Sequence, residues 1–122
     1  MNKYYIASIL WALLILILTL TPGKSIPDLE LFSYDKLGHM GIFMLQAYFL
    51  VSGINFDKKN KNSVTKSLLL GLLITEIYGA SVEVAQHFIP DRSMDIMDLL
   101  ANSLGVILGG VIFYLSIKLN WK

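Results

Sequence analysis

Four long apolar blocks, separated by short polar or proline-bearing breaks, predict four helices along this chain. The first block runs from about Tyr4 to Leu20 and the second from Leu37 to about Ile54. The third runs from Ser67 to Ile89 and the fourth from Ile96 to Leu119. Each approaches or exceeds the roughly 20 residues that a helix needs to cross ~30 Å of hydrocarbon. Pro22, Gly23 and Pro27 end the first block, and Asp57 to Asn62 forms a charged break after the second. Pro90 closes the third, because proline disfavours helical geometry at the residue before it. No strand-like alternation and no repeat of fixed period is visible. The expected fold is all-α: one domain over 1–122, an integral membrane bundle of four transmembrane helices. Lys3 ahead of an apolar stretch also fits a signal peptide, but Thr19-Leu20-Thr21 followed by Pro22 is a poor cleavage site. A retained helix is expected.

Composition agrees with this pattern and adds a direction. Hydrophobic residues make up 55% of the 122, above the usual share for soluble chains. Cysteine is absent, so disulfide and thiolate chemistry are excluded. With four spans, both termini and the middle loop share one side. That side holds Lys3, Lys58, Lys59, Lys61, Lys66, Lys118 and Lys122 against Asp57. The other side holds Lys24, Lys36 and Arg92, among Asp28, Glu30, Asp35, Glu83, Asp91, Asp95 and Asp98. The excess of basic residues predicts that both termini are cytoplasmic and that the acid-rich face looks outward.

Three polar clusters converge on that outer face. The second helix carries Asp35, Lys36, His39 and Gln46, of which Asp35, His39 and Gln46 share one helical stripe. The third carries Glu76, Glu83, Gln86 and His87, with Glu76 and Glu83 on one face two turns apart. The fourth follows Arg92 and carries Asp95, Asp98 and Asn102. An ionisable group inside a span costs at least ~2.5–3.5 kcal/mol, so Glu83 and the mid-membrane Glu76 should face the bundle and find partners. Small residues at intervals of four, Ala101-Gly105-Gly109 and Gly71-Thr75-Gly79, are expected to form the packing face between the third and fourth helices. A homodimer seam is the alternative use of that stripe.

With these residues in view, the chain resembles the VanZ-like family. The matching elements are Asp35-Lys36-x-x-His39 opening the second helix and Glu83-x-x-Gln86 closing the third. They continue with Phe88-Ile89-Pro90-Asp91-Arg92, then Asp98-x-x-x-Asn102-x-x-Gly105 and a further Gly109. One departure is Asp91, where the family commonly has glycine before the arginine. The family's namesake is associated with lowered susceptibility to teicoplanin, a lipoglycopeptide acting on cell-wall precursors outside the membrane. The resemblance implies a family more firmly than a reaction.

The residues themselves leave the chemistry open. Asp35 and Asp95 suit helix N-caps, and Arg92 suits a local ion pair with Asp91, Asp95 or Asp98. Alternatively, the outward N-termini of the second and fourth helices, with Lys36 and Arg92, suit a phosphate. The leading expectation is a protein that binds a lipid head group or lipid-linked cell-wall precursor through Lys36, Gln86, Arg92, Asp98 and Asn102. A rival is a membrane-embedded enzyme with Asp35, His39 and Glu83 as acid–base groups. Another is a proton or ion pathway through Glu76. Two histidines and no cysteine argue against a metal site, and no cofactor or nucleic-acid motif is present.

Overall fold

The computed structural model describes residues 2–20, 32–57, 63–86, 88 and 96–119. They form four α-helices, α1 (Lys3–Leu20), α2 (Phe32–Asn55), α3 (Val64–Gln86) and α4 (Ile96–Lys118), with no strand among the described residues. Two helix starts have visible causes. The Asn2 Oδ1 accepts the Tyr4 and Tyr5 backbone N–H groups at 3.0 Å each, and the Ser63 Oγ accepts that of Lys66 at 3.1 Å. Each side chain satisfies donors that a first turn leaves without intrahelical partners. The start of α2 at Phe32 precedes the expected Leu37, because Phe32-Ser33-Tyr34 contains no residue that breaks a helix. Asp35 therefore lies inside α2 and is not its N-cap.

Cross-helix contacts give the directions. Asn2 Nδ2 donates to the Gly53 carbonyl, Gln46 Nε2 to Ser8 Oγ, and Trp11 Nε1 to the Ile42 carbonyl. As numbering rises in α1 it falls in α2, so the two are antiparallel. Gly71 lies against Val51 and Gly79 against Phe43, which makes α3 antiparallel to α2 as well. Gly105 lies against Met40 and Gly109 against Met44, so α4 runs parallel to α2. The result is an up-down-up-down bundle. α2 touches all three other helices, most extensively α4, and α1 makes no contact with α4 among the described residues.

The core takes one or two residues from every helix: Ile15 of α1, Phe43 and Ala47 of α2, Val82 of α3 and Val106 of α4. At the end where α2 and α4 finish, Phe56 and Tyr48 both pack edge-on against Phe113. What is unusual is the rest of the distribution. Ser8, Gln46, Ser52, Ser67, Thr75, Glu83, Asn102 and Ser116 are buried, whereas many of the large aliphatic side chains are outside. Leu10, Ile17 and Leu69 are more than 60% exposed. A surface this apolar needs an apolar solvent.

Two helices are long and apolar enough to cross a membrane. The window Val64–Ala85 has a mean hydropathy of 1.6 and Leu99–Lys118 one of 1.9. Only 28% and 39% of these windows is buried in the bundle, so most of each apolar helix faces outward. Shorter apolar stretches, Lys3–Ile17 and Met40–Asn55, occupy α1 and α2.

The small-residue stripe requires a correction. Gly105 and Gly109 do not form a seam with α3; they lie on the backbone of α2, where an added Cβ would strike the Met40 and Met44 carbonyl oxygens. On α3, Gly71 and Gly79 likewise face Val51 and Phe43 of α2. Between α3 and α4, the glycine contact is Gly110, where a Cβ would stand 3.0 Å from the methyl groups of Leu72. The physical reason is the central place of α2, which both neighbours must approach closely. Gly105→Ala is expected to destabilise the bundle by about 1–3 kcal/mol, the usual cost of overpacking. Gly38→Ala, where no atom lies within 4 Å of the added carbon, serves as the neutral control. Thermal unfolding in detergent compares the two.

Candidate functional site

The pairing register of α2 and α3 gathers polar positions near one end of the bundle. Phe43 lies against Gly79, and the helices are antiparallel. One turn earlier on α2 is position 39, and one turn later on α3 is Glu83, so the two positions meet at one level of this seam. The parallel α2–α4 register, with Gly105 on Met40, brings Asn102 to the level of position 37. Glu83 and Asn102 are 1% and 2% exposed and rank among the largest fully buried side chains. Buried polar groups at this depth are costly unless the surrounding bundle supplies partners, and each has an interaction here.

The remaining candidates divide into two groups. His39, Asp35 and Lys36 belong to α2, Gln86 to the end of α3 and Asp98 to the start of α4, but their side chains lie outside the described residues. Arg92, with Asp91, Asp95 and His87, also lies outside them. The described part of the site is therefore its floor: Glu83 and Asn102. An open groove on the outside of α3 is lined by Ile77, Ala80, Ser81 and Val84, and neither floor residue lines it. It is a concavity of the apolar surface and has no part in this cluster.

Gln46 shares a stripe with Asp35 and His39, as expected, but belongs elsewhere. It is 5% exposed, and its amide is tied to Ser8 in the α1–α2 interface. Glu76 lies two turns before Glu83 on α3, half-buried, with its Oε2 accepting a 2.6 Å hydrogen bond from Ser103 Oγ of α4. Sequence reasoning missed Ser103. It follows Asn102 directly, and the α3–α4 register that sets it against Glu76 leaves no periodic signal. Tyr78 was missed as well; its hydroxyl donates to the Ala12 carbonyl and fastens α3 to α1.

An all-α chain with two helices fit to cross a membrane and an apolar exterior is a membrane protein. The chain belongs to the VanZ/LLP1 family, whose model matches residues 4–117, nearly its whole length. No curated protein and no solved structure matches it significantly.

The Glu76–Ser103 contact is testable as a bond. Glu76→Gln and Ser103→Ala are each expected to lower stability in detergent. The double variant should lose less than the sum of the two, with a coupling of about 0.5–1.5 kcal/mol. Strict additivity in a double-mutant cycle would show that the contact contributes nothing.

Proposed function

We propose that this VanZ-family protein crosses the membrane four times, with both termini cytoplasmic, and binds a lipid head group or lipid-linked cell-wall precursor at its outer face. The observation that carries the reading is the near-complete burial of Glu83, at the level of position 39, and of Asn102, at that of position 37, in a bundle whose exterior is apolar. Packing gains nothing from a carboxyl there, so a polar ligand or a polar network must repay its desolvation. In this reading, Lys36 and Arg92 meet the anionic part of the ligand, Arg92 through two parallel hydrogen bonds. Gln86, Asp98 and Asn102 complete the polar contacts. Asp35, His39 and Glu83 set the charge and proton inventory beneath them.

The family's link to teicoplanin supplies a phenotype. In a teicoplanin-susceptible Gram-positive host, expression of the wild-type chain is expected to raise the tolerated concentration. His39→Ala, Glu83→Gln and Arg92→Ala should each abolish that rise while membrane insertion stays intact. Variants that insert normally and keep the full rise would remove these residues from the site.

The orientation rests on the seven lysines of the inner side against the three basic residues of the outer. Because the chain contains no cysteine, single cysteines report it cleanly. A membrane-impermeant maleimide should label Asp91→Cys in intact cells, and Lys59→Cys only after permeabilisation. The reverse pattern would invert the topology and move the cluster to the cytoplasmic leaflet.

A further inference from the structure

Lys66 and Lys118 stand where the α3–α4 seam ends, away from Glu83 and Asn102. Both side chains are exposed. The register of the seam follows from Gly110 of α4, which lies against Leu72 of α3. From Leu72 back to Lys66 the helix rises about 9 Å, and from Gly110 on to Lys118 about 12 Å. Because the two helices are antiparallel, the lysines finish at nearly one level, and their flexible four-carbon stems cover the difference. They also share one lip of the seam. Lys66, Leu69, Leu73 and Glu76 follow one another at spacings of three and four, so they form one stripe of α3. Ser103, Ile107, Gly110, Tyr114 and Lys118 do the same on α4. The hydrogen bond from Ser103 to Glu76 joins the two stripes. Between that bond and the lysines the lip is apolar and open, with Leu69, Leu73, Ile107 and Tyr114 all exposed.

Helix electrostatics account for only one of these charges. Lys118, in the last turn of α4, suits the negative end of that helix. Lys66 occupies the first turn of α3, where an acid would suit better. Its backbone N–H is the group that Ser63 caps, so the side chain takes no part in starting the helix. We propose that this lip seats an anionic phospholipid. Lys66 and Lys118 meet the head-group phosphate, and Leu69, Leu73 and Tyr114 form a wall along an acyl chain. Charge selects the occupant. Two bases above an apolar wall match a head group of net negative charge, whereas a zwitterionic lipid brings a cation of its own. The seat lies at the other end of the bundle from Glu83 and does not rest on any reading of what binds there.

Native mass spectrometry of the full-length chain, released from detergent with equimolar phosphatidylglycerol and phosphatidylcholine of matched chains, tests the seat. The wild type should retain phosphatidylglycerol in preference. Lys66→Gln and Lys118→Gln should each cut that preference about fivefold, the factor for one lysine beside an anionic membrane surface. The double variant Lys66→Arg with Lys118→Arg should keep it. Lys3→Gln removes an exposed lysine at the same end from α1, which makes no contact with α4 among the described residues, and should change nothing. Glycerol phosphate, a head group without tails, should not displace the lipid. Equal retention of the two lipids would overturn the seat. So would a preference that survives both glutamine substitutions, an equal loss in Lys3→Gln, or displacement by glycerol phosphate.

Discussion

The bundle depends on the close approach of α4 to α2. Gly105 and Gly109 leave no Cβ where the Met40 and Met44 carbonyls stand, and Ala47 adds a methyl that fills the remaining space beside Gly109. In lipid, apolar burial gives helices little reason to associate, so backbone proximity and interhelical hydrogen bonds must do so. Once α2 and α4 are locked in parallel, α3 has one place to lie, antiparallel to both. Its own glycines then meet Val51 and Phe43 of α2. α1 packs on α2 and reaches α3 but, among the described residues, not α4.

Polar bonds distribute themselves around that lock at every depth. Near one end, Asn2 reaches the Gly53 carbonyl and Ser67 Oγ reaches Asn55 Oδ1. In the middle, Gln46 meets Ser8, Trp11 meets the Ile42 carbonyl, and Tyr78 meets that of Ala12. Glu76 and Ser103 join α3 to α4, where helix contact is thinner than between α2 and α4. Toward the other end Glu83 and Asn102 are enclosed. The polar interior is thus spread along the bundle but divided in partners: α1–α2, α2–α3, α3–α4 and α1–α3 each carry a described hydrogen bond, whereas α2–α4 is described by its close glycine packing.

Much of this was legible in the sequence. The four apolar blocks announced four helices, since length and proline placement are local properties. The motif Glu83-x-x-Gln86 and the Asp98–Asn102–Gly105 series marked the family and contain two large polar side chains that prove almost fully buried. The errors came from questions that one helix cannot answer alone. Gly105 and Gly109 declared a close neighbour but not which helix it was, and α2 was overlooked because its own sequence has no small-residue stripe facing them. Asp35 resembled a cap because the chain before it lacks a strong apolar signal, yet nothing there stops a helix. Ser103 was invisible because a lone serine gains meaning only from the carboxyl across the seam.

The α2–α4 contact joins elements that synthesis delivers far apart. α3 lies between them in the chain, so the Met40 and Met44 carbonyls wait until the last helix has emerged. Until then, the stretch of α2 that Gly105 and Gly109 cover in the finished bundle stays uncovered by α4. The first three helices lack the most extensive contact of the finished bundle, and a chain that stops before Gly105 cannot form it. The final helix completes the packing, and the same helix carries Asn102 into the polar interior at the level of position 37.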